Sequence, residues 1–165
     1  MFPVEGRASR LIFAGEYEHR IDPQGRVSIP ARFRPAFEKG IVLSRAYDRC
    51  VMVYTPEEFA EVAGEIKKHP PTRSDARRLA RLTFSGAYEL GLDRHGRVLV
   101  PPALREYAAL DENIVIVGTG RFLEIWSREA WQAERGALDE EAADIAERAP
   151  APAGLSPSKG GEAGG

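Results

Sequence analysis

The sequence predicts an α+β protein built from two tandem, pseudo-symmetric β-hairpin units that share one core and carry flanking helices. Three observations carry the prediction. The stretch Ile21-Asp22-Pro23-Gln24-Gly25-Arg26-Val27-Ser28-Ile29-Pro30 recurs 71 residues later as Leu92-Asp93-Arg94-His95-Gly96-Arg97-Val98-Leu99-Val100-Pro101. Aligning Gly15–Arg34 with Gly86–Arg105 gives 9 identities in 20 positions (Gly, Tyr, Glu, Asp, Gly, Arg, Val, Pro, Arg), the mark of an internal duplication. Finally, the residues after each copy run in the same order: a short helix, two strands, then a longer helix.

In the first copy Tyr17, His19 and Ile21 alternate with Glu16, Glu18 and Arg20, the period of a half-buried strand. Tyr88, Leu90 and Leu92 keep that period in the second. Asp22, Pro23 and Gly25 suit the first, second and fourth positions of a tight turn, and Asp93-Arg94-His95-Gly96 repeats the frame without proline. Val27 and Ile29 then alternate with Arg26 and Ser28 until Pro30 ends the strand, so each copy reads as a hairpin. Phe33 and Phe37 face the core from a short helix. Strands follow at Ile41–Ser44 and Cys50–Tyr54 around a turn at Asp48. In the second copy a helix at Pro102–Tyr107 precedes strands at Asn113–Gly118 and Phe122–Trp126. Thr55 and Ser127 stand at matching places as N-caps of the longer helices.

Between the copies one helix runs from Pro56 to about Lys68, and His69-Pro70-Pro71 breaks it. A second, capped by Thr72 or Ser74, runs to about Phe84 with Arg73, Arg77 and Arg81 along one stripe, a pattern expected of a solvated face. The expected organisation is a flexible arm over residues 1–12, a first unit over 13–70, a linking helix over 71–84, a second unit over 85–148 and a disordered Pro/Gly/Ala-rich tail over 149–165.

Net charge is only −2, but residues 1–110 carry 18 Lys/Arg against 14 Asp/Glu while residues 111–165 carry 5 against 11. A basic face on the repeated half is therefore compatible with nucleic-acid binding. The single cysteine, Cys50, sits in an apolar run and reads as a core thiol. His19, His69 and His95 lie too far apart in sequence to suggest a metal site, and no cofactor is expected. No phosphate-cradling glycine loop, nucleophile signature or catalytic triad pattern is present, so no enzyme is expected. Without an apolar run of 18 residues or a signal segment, the expected location is the cytoplasm.

The geometry of the repeat puts Arg26 and Arg97 on the solvated side when Val27 and Val98 face inward. Each could simply pair with its turn aspartate, an exposed ion pair contributing about 0–1 kcal/mol. Alternatively, the two guanidinium groups are held rigidly for phosphates or guanine edges.

Gly15-Glu16-Tyr17 followed by Asp22-x-x-Gly25-Arg26-Val27-x-Ile29-Pro30-Ala31-x-Phe33-Arg34 resembles the first half of the MraZ family. Ser85–Glu89, Asp93-x-x-Gly96-Arg97-Val98 and Pro101-x-x-Leu104-Arg105 resemble the second. The resemblance implies two SpoVT-AbrB-type units around a small β-barrel core, with binding to double-stranded DNA through Asp22 with Arg26 and Asp93 with Arg97. Gln24 stands where the family usually has lysine, and His95 occupies the matching place in the second turn. Further implications are a ring-like homo-oligomer at the nucleoid and action, usually as repressor, on a promoter upstream of its own gene in the division and cell-wall cluster. A protein-interaction module similar to AbrB-type antitoxins is the alternative.

Overall fold

The computed structural model describes residues 11–150. The expected arm falls almost wholly outside that range, and so does the tail from residue 151. Within that range residues 11–131 form one structural unit and residues 132–150 a second.

The first unit contains both copies of the repeat. In order it runs β1 (Glu16–Arg20), β2 (Arg26–Ser28), a 3-10 helix (Ala31–Phe37), β3 (Ile41–Arg45), β4 (Val51–Tyr54), α1 (Pro56–Lys67) and α2 (Ser74–Ser85). The second copy supplies β5 (Ala87–Leu90), β6 (Arg97–Leu99), α3 (Pro102–Tyr107), β7 (Asn113–Gly118), β8 (Leu123–Ser127) and the start of α4 (Arg128–Arg148).

The elements follow the expected periodicities, but strand pairing departs from the hairpin reading. β1 does not pair with β2. It pairs with β7 of the other copy, Tyr17 opposite Ile116 and His19 opposite Ile114. By the same pseudo-symmetry β5 pairs with β3, Tyr88 opposite Leu43. A six-stranded antiparallel sheet results, ordered β1-β7-β8-β4-β3-β5, while β2 and β6 form a two-stranded ladder of their own. The physical reason lies in burial and length. With only three residues, β2 offers few bonds to β1, whereas β1 gains a five-residue register against β7. Crossing over also lets Val27 and Val98 sit opposite each other, both fully buried.

One core serves both copies. Val27, Ile29, Val98 and Val100 from the ladder meet Leu43, Val53, Ile116 and Ile125 from the sheet. Phe33 and Phe37 enter it from the 3-10 helix, and the Phe13 ring lies 5.2 Å from Phe33 and 5.7 Å from Phe37. Pro35, which has no N–H to donate, lies inside that turn. Phe13 also exchanges backbone bonds with Gly120, its N–H donating at 2.8 Å.

A helix follows each of β4 and β8 directly. Thr55 Oγ1 accepts from the Glu58 amide at 3.2 Å and caps α1; Ser127 Oγ accepts from the Ala130 amide at 3.1 Å and caps α4. Tyr54, Phe59 and Phe122 pack edge to face, and Phe84 of α2 continues the stack onto Phe59. Trp126 and Trp131 are the counterpart in the second copy. At the start of α2 neither Thr72 nor Ser74 caps the helix; the N-cap position is Arg73, with no side-chain bond. Cys50 is buried, as expected of a core thiol. In the second unit α4 continues as helix to Arg148, whose Nε donates to the Asp144 carbonyl at 3.2 Å.

Candidate nucleic-acid interface

Each turn is closed by its own backbone. The Gly25 N–H donates to the Asp22 carbonyl at 2.9 Å, and the Asp22 N–H to the Arg26 carbonyl at 3.0 Å. Gly96 and Asp93 repeat these bonds at 3.0 and 2.8 Å. Gly25 and Gly96 hold φ of +87° and +74°, the region in which glycine escapes the Cβ clash.

The aspartates do more than open the turns. Asp22 Oδ1 accepts from the amides of Gln24 and Arg26, both at 2.9 Å, while Oδ2 accepts from Arg26 Nε at 2.6 Å. Asp93 does the same with His95 N at 2.8 Å, Arg97 N at 3.0 Å and Arg97 Nε at 2.8 Å. The Arg26 amide, then its side chain and the Gln24 amide, hold the Asp22 carboxyl below its ordinary range. The Arg97 amide foremost, with the Arg97 side chain and the His95 amide, brings Asp93 down to about 2.

This arrangement uses the Nε of each arginine and leaves the Nη fork without an acceptor among the described residues. The aspartate thus acts as a bracket. It fixes the root of the guanidinium through Nε.

The register of the ladder decides which face the two arginines share. Arg26 stands opposite Leu99 and Arg97 opposite Ser28, with Val27 opposite Val98 between them. Since the valines face inward, Arg26, Ser28, Arg97 and Leu99 share the outer face. Arg26 and Arg97 are diagonal neighbours on it, about 7–8 Å apart at the backbone. Leu99, 54% exposed, lies beside them as an apolar spot. The ladder continues into the turns, Ile29 N–H donating to the Gly96 carbonyl and Val100 N–H to that of Gly25, both at 2.9 Å. Gln24 and His95 are exposed in the two turns, one at each end of this face.

The structure also gives roles to two arginines that the repeat alignment matched without explaining. Arg34 Nε donates to the Ile29 carbonyl at 2.8 Å, and Arg105 Nε to that of Val100 at 3.1 Å. The guanidinium of Arg34 lies directly over Gly96 and that of Arg105 over Gly25. Each copy therefore clamps the turn of the other. Their identity at the last aligned position was a visible signal, but its meaning depended on the crossed pairing.

His19, expected inside, is half-buried; burial foremost, then the charge of Arg34, lowers its pKa. Burial, then Glu124, raises the Cys50 thiol, whose Sγ lies 3.4 Å from a Glu124 carboxylate oxygen. No group of three or more metal-ligating side chains occurs among the described residues. Among them, no helix is long and apolar enough to cross a membrane.

The two copies interleave in one α+β unit, with Arg26 and Arg97 on the outer face of one two-stranded ladder. The sequence profile of the family described as "MraZ protein, putative antitoxin-like" matches this chain twice, over residues 12–82 and 83–150. The chain belongs to the MraZ family. It is 44% identical over 137 residues to the "Transcriptional regulator MraZ" of Roseiflexus castenholzii, covering 83% of this chain and 96% of that one. It is 48% identical over 120 residues to the protein of the same name from Heliobacterium modesticaldum, covering 73% of this chain and 84% of that one. The Herpetosiphon aurantiacus protein so named is 43% identical over 136 residues, covering 82% and 95%. The family is one of transcriptional regulators and not of enzymes.

Proposed function

We propose that this chain is a sequence-specific DNA-binding transcriptional regulator that reads double-stranded DNA with the outer face of the β2–β6 ladder. The observation that carries the reading is the pairing of Arg26 and Arg97 on one face of the ladder, each braced at Nε by its turn aspartate. The five ladder positions from Gly25 to Ile29 extend about 14 Å, close to the major-groove width of about 12 Å. Across a groove, the ladder brings both forks to base edges, where one bidentate arginine–guanine contact contributes about 1–3 kcal/mol of discrimination. Asp22 and Asp93 orient the forks; Gln24 and His95 meet the flanking backbone.

Two such contacts are too few for tight binding by one chain. Affinity comes from a homo-oligomer, a ring in the proposed form, that engages short DNA repeats at several ladders at once. The target is the promoter upstream of its own gene in the division and cell-wall cluster, the usual outcome repression, and the place of action the cytoplasm at the nucleoid. The names of the relatives support regulation of transcription. The family description also supports a second reading, an antitoxin-like module whose partner is a protein.

Gel retardation of the upstream fragment separates the two. Arg26→Ala and Arg97→Ala are expected to abolish the specific shift while leaving circular dichroism and elution volume unchanged. An undiminished shift in both variants contradicts DNA reading by this face, and a wild-type chain that retards no DNA favours the protein-partner reading.

A further inference from the structure

The two turns are pseudo-symmetric in backbone but not in charge. The depression beside the second turn is lined by Arg34, Lys39 and Arg94 against Glu38 and Asp93. Its counterpart beside the first turn is lined by Arg105 against Asp22, Asp111 and Glu112. Three cations face two carboxylates in one, one cation faces three in the other, so the repeated frame carries opposite local balances. Within the turns the contrast continues: Arg94-His95 stands where the first copy has Pro23-Gln24. In both sites the turn aspartate is occupied by its own arginine. Around the first, Glu112 is partly neutralised by Arg20 at 3.4 Å, while no ion partner of Asp111 occurs among the described residues. Around the second, Arg94 is exposed and its Nε faces His95 Nε2 at 3.3 Å, with no carboxylate partner among the described residues.

We infer that the second turn is the phosphate anchor of the interface: Arg94 and Lys39 hold the backbone phosphates of one strand, while the first turn contributes base reading through Arg26 and little phosphate binding. The inference rests on the proposed DNA reading. When the ladder crosses the groove, its ends come to lie at the two flanking backbones. Phosphates attract the end bearing Arg94 and Lys39, while Asp111 and Glu112 at the other end repel them. A face with this difference has a direction, so the chain sits on an asymmetric site in one orientation.

The test measures affinity for a double-stranded fragment from upstream of its own gene across a salt series. Removing one cation that neutralises a phosphate lowers the slope of log affinity against log salt by about 1. Arg94→Ala and Lys39→Ala are each expected to lower the slope by about that amount and to weaken binding several-fold, equally on specific and unrelated fragments. Arg81→Ala, in the exposed stripe of α2, is expected to leave the slope unchanged, and Asp111→Lys to raise it. Unchanged slopes in Arg94→Ala and Lys39→Ala, with Arg97→Ala still abolishing specific binding, overturn the anchor while the DNA reading stands. A wild-type chain without salt-dependent binding overturns both.

Discussion

Asp93 performs two tasks with one carboxylate, capping the amides of its turn and gripping Arg97 at Nε, and its titration reports on both. Its folded-state pKa of about 2 lies below the ordinary value of 3.8. A depressed carboxyl stabilises the fold fully above its unfolded pKa, and that contribution is lost as pH falls through the folded one. Thermal melts of Asp93→Asn are therefore expected to lose less stability between about pH 4 and pH 2 than wild-type melts do; parallel losses contradict the bracket. The fork makes its own demand. In Arg97→Lys the single ammonium can either pair with Asp93 or reach outward, so folding is expected to persist and base discrimination to fall by about tenfold or more. Binding titrations on matched and mutated sites measure this, and equal discrimination by lysine contradicts a bidentate role. The sequence displayed these residues openly, because the Asp-x-x-Gly-Arg frame is contiguous. It could not display Lys39, Asp111 and Glu112 beside the turns, since they arrive from elsewhere in the chain.

At the level of elements, the turn geometry and the ladder are set by glycine and by the crossed pairing. Gly96 holds φ +74° with the Arg34 guanidinium against its Cα, so Gly96→Ala must both strain the backbone and displace that side chain. A loss of about 1–2 kcal/mol is expected from the backbone alone, read as a lower urea midpoint. Gly64 in α1 is the control: a Cβ there would meet nothing within 4 Å, and Gly64→Ala is expected to stabilise by about 0.5–1 kcal/mol. Phe33, fully buried and packed by Phe13 and Tyr17, is expected to cost about 3–5 kcal/mol on truncation to alanine. Element types were legible because alternation and caps are local. Partners were not: the alternation of Tyr17, His19 and Ile21 says which side chains share a face, and nothing about whether β2 or β7 runs alongside. Nor did the presence of Thr72 and Ser74 around the start of α2 reveal that the helix begins without a side-chain cap.

For the whole molecule, duplication here means interdependence. Remove the second copy and β1 loses β7, β3 loses β5, β2 loses β6 and β4 loses β8. Half of the shared core would lie open, and the clamps of Arg105 over Gly25 and Arg34 over Gly96 would vanish. A chain ending near residue 84 is thus expected to yield no folded monomer, only unfolded material or a dimer in which two identical copies replace the native pair. Circular dichroism with size-exclusion chromatography measures it, and a folded monomeric half contradicts the interleaving. The shared core was anticipated from the duplication, while the exchange of strands that creates it required the register.

In the proposed function the ladder arginines, rather than the exposed arginine stripe of α2, meet DNA, and arginine-specific modification by phenylglyoxal tests this most directly. Mass spectrometry of the protein treated with and without the upstream fragment is predicted to show Arg26 and Arg97 shielded by DNA while Arg73, Arg77 and Arg81 stay reactive. Shielding of the α2 arginines with Arg26 and Arg97 equally modified in both samples would contradict it.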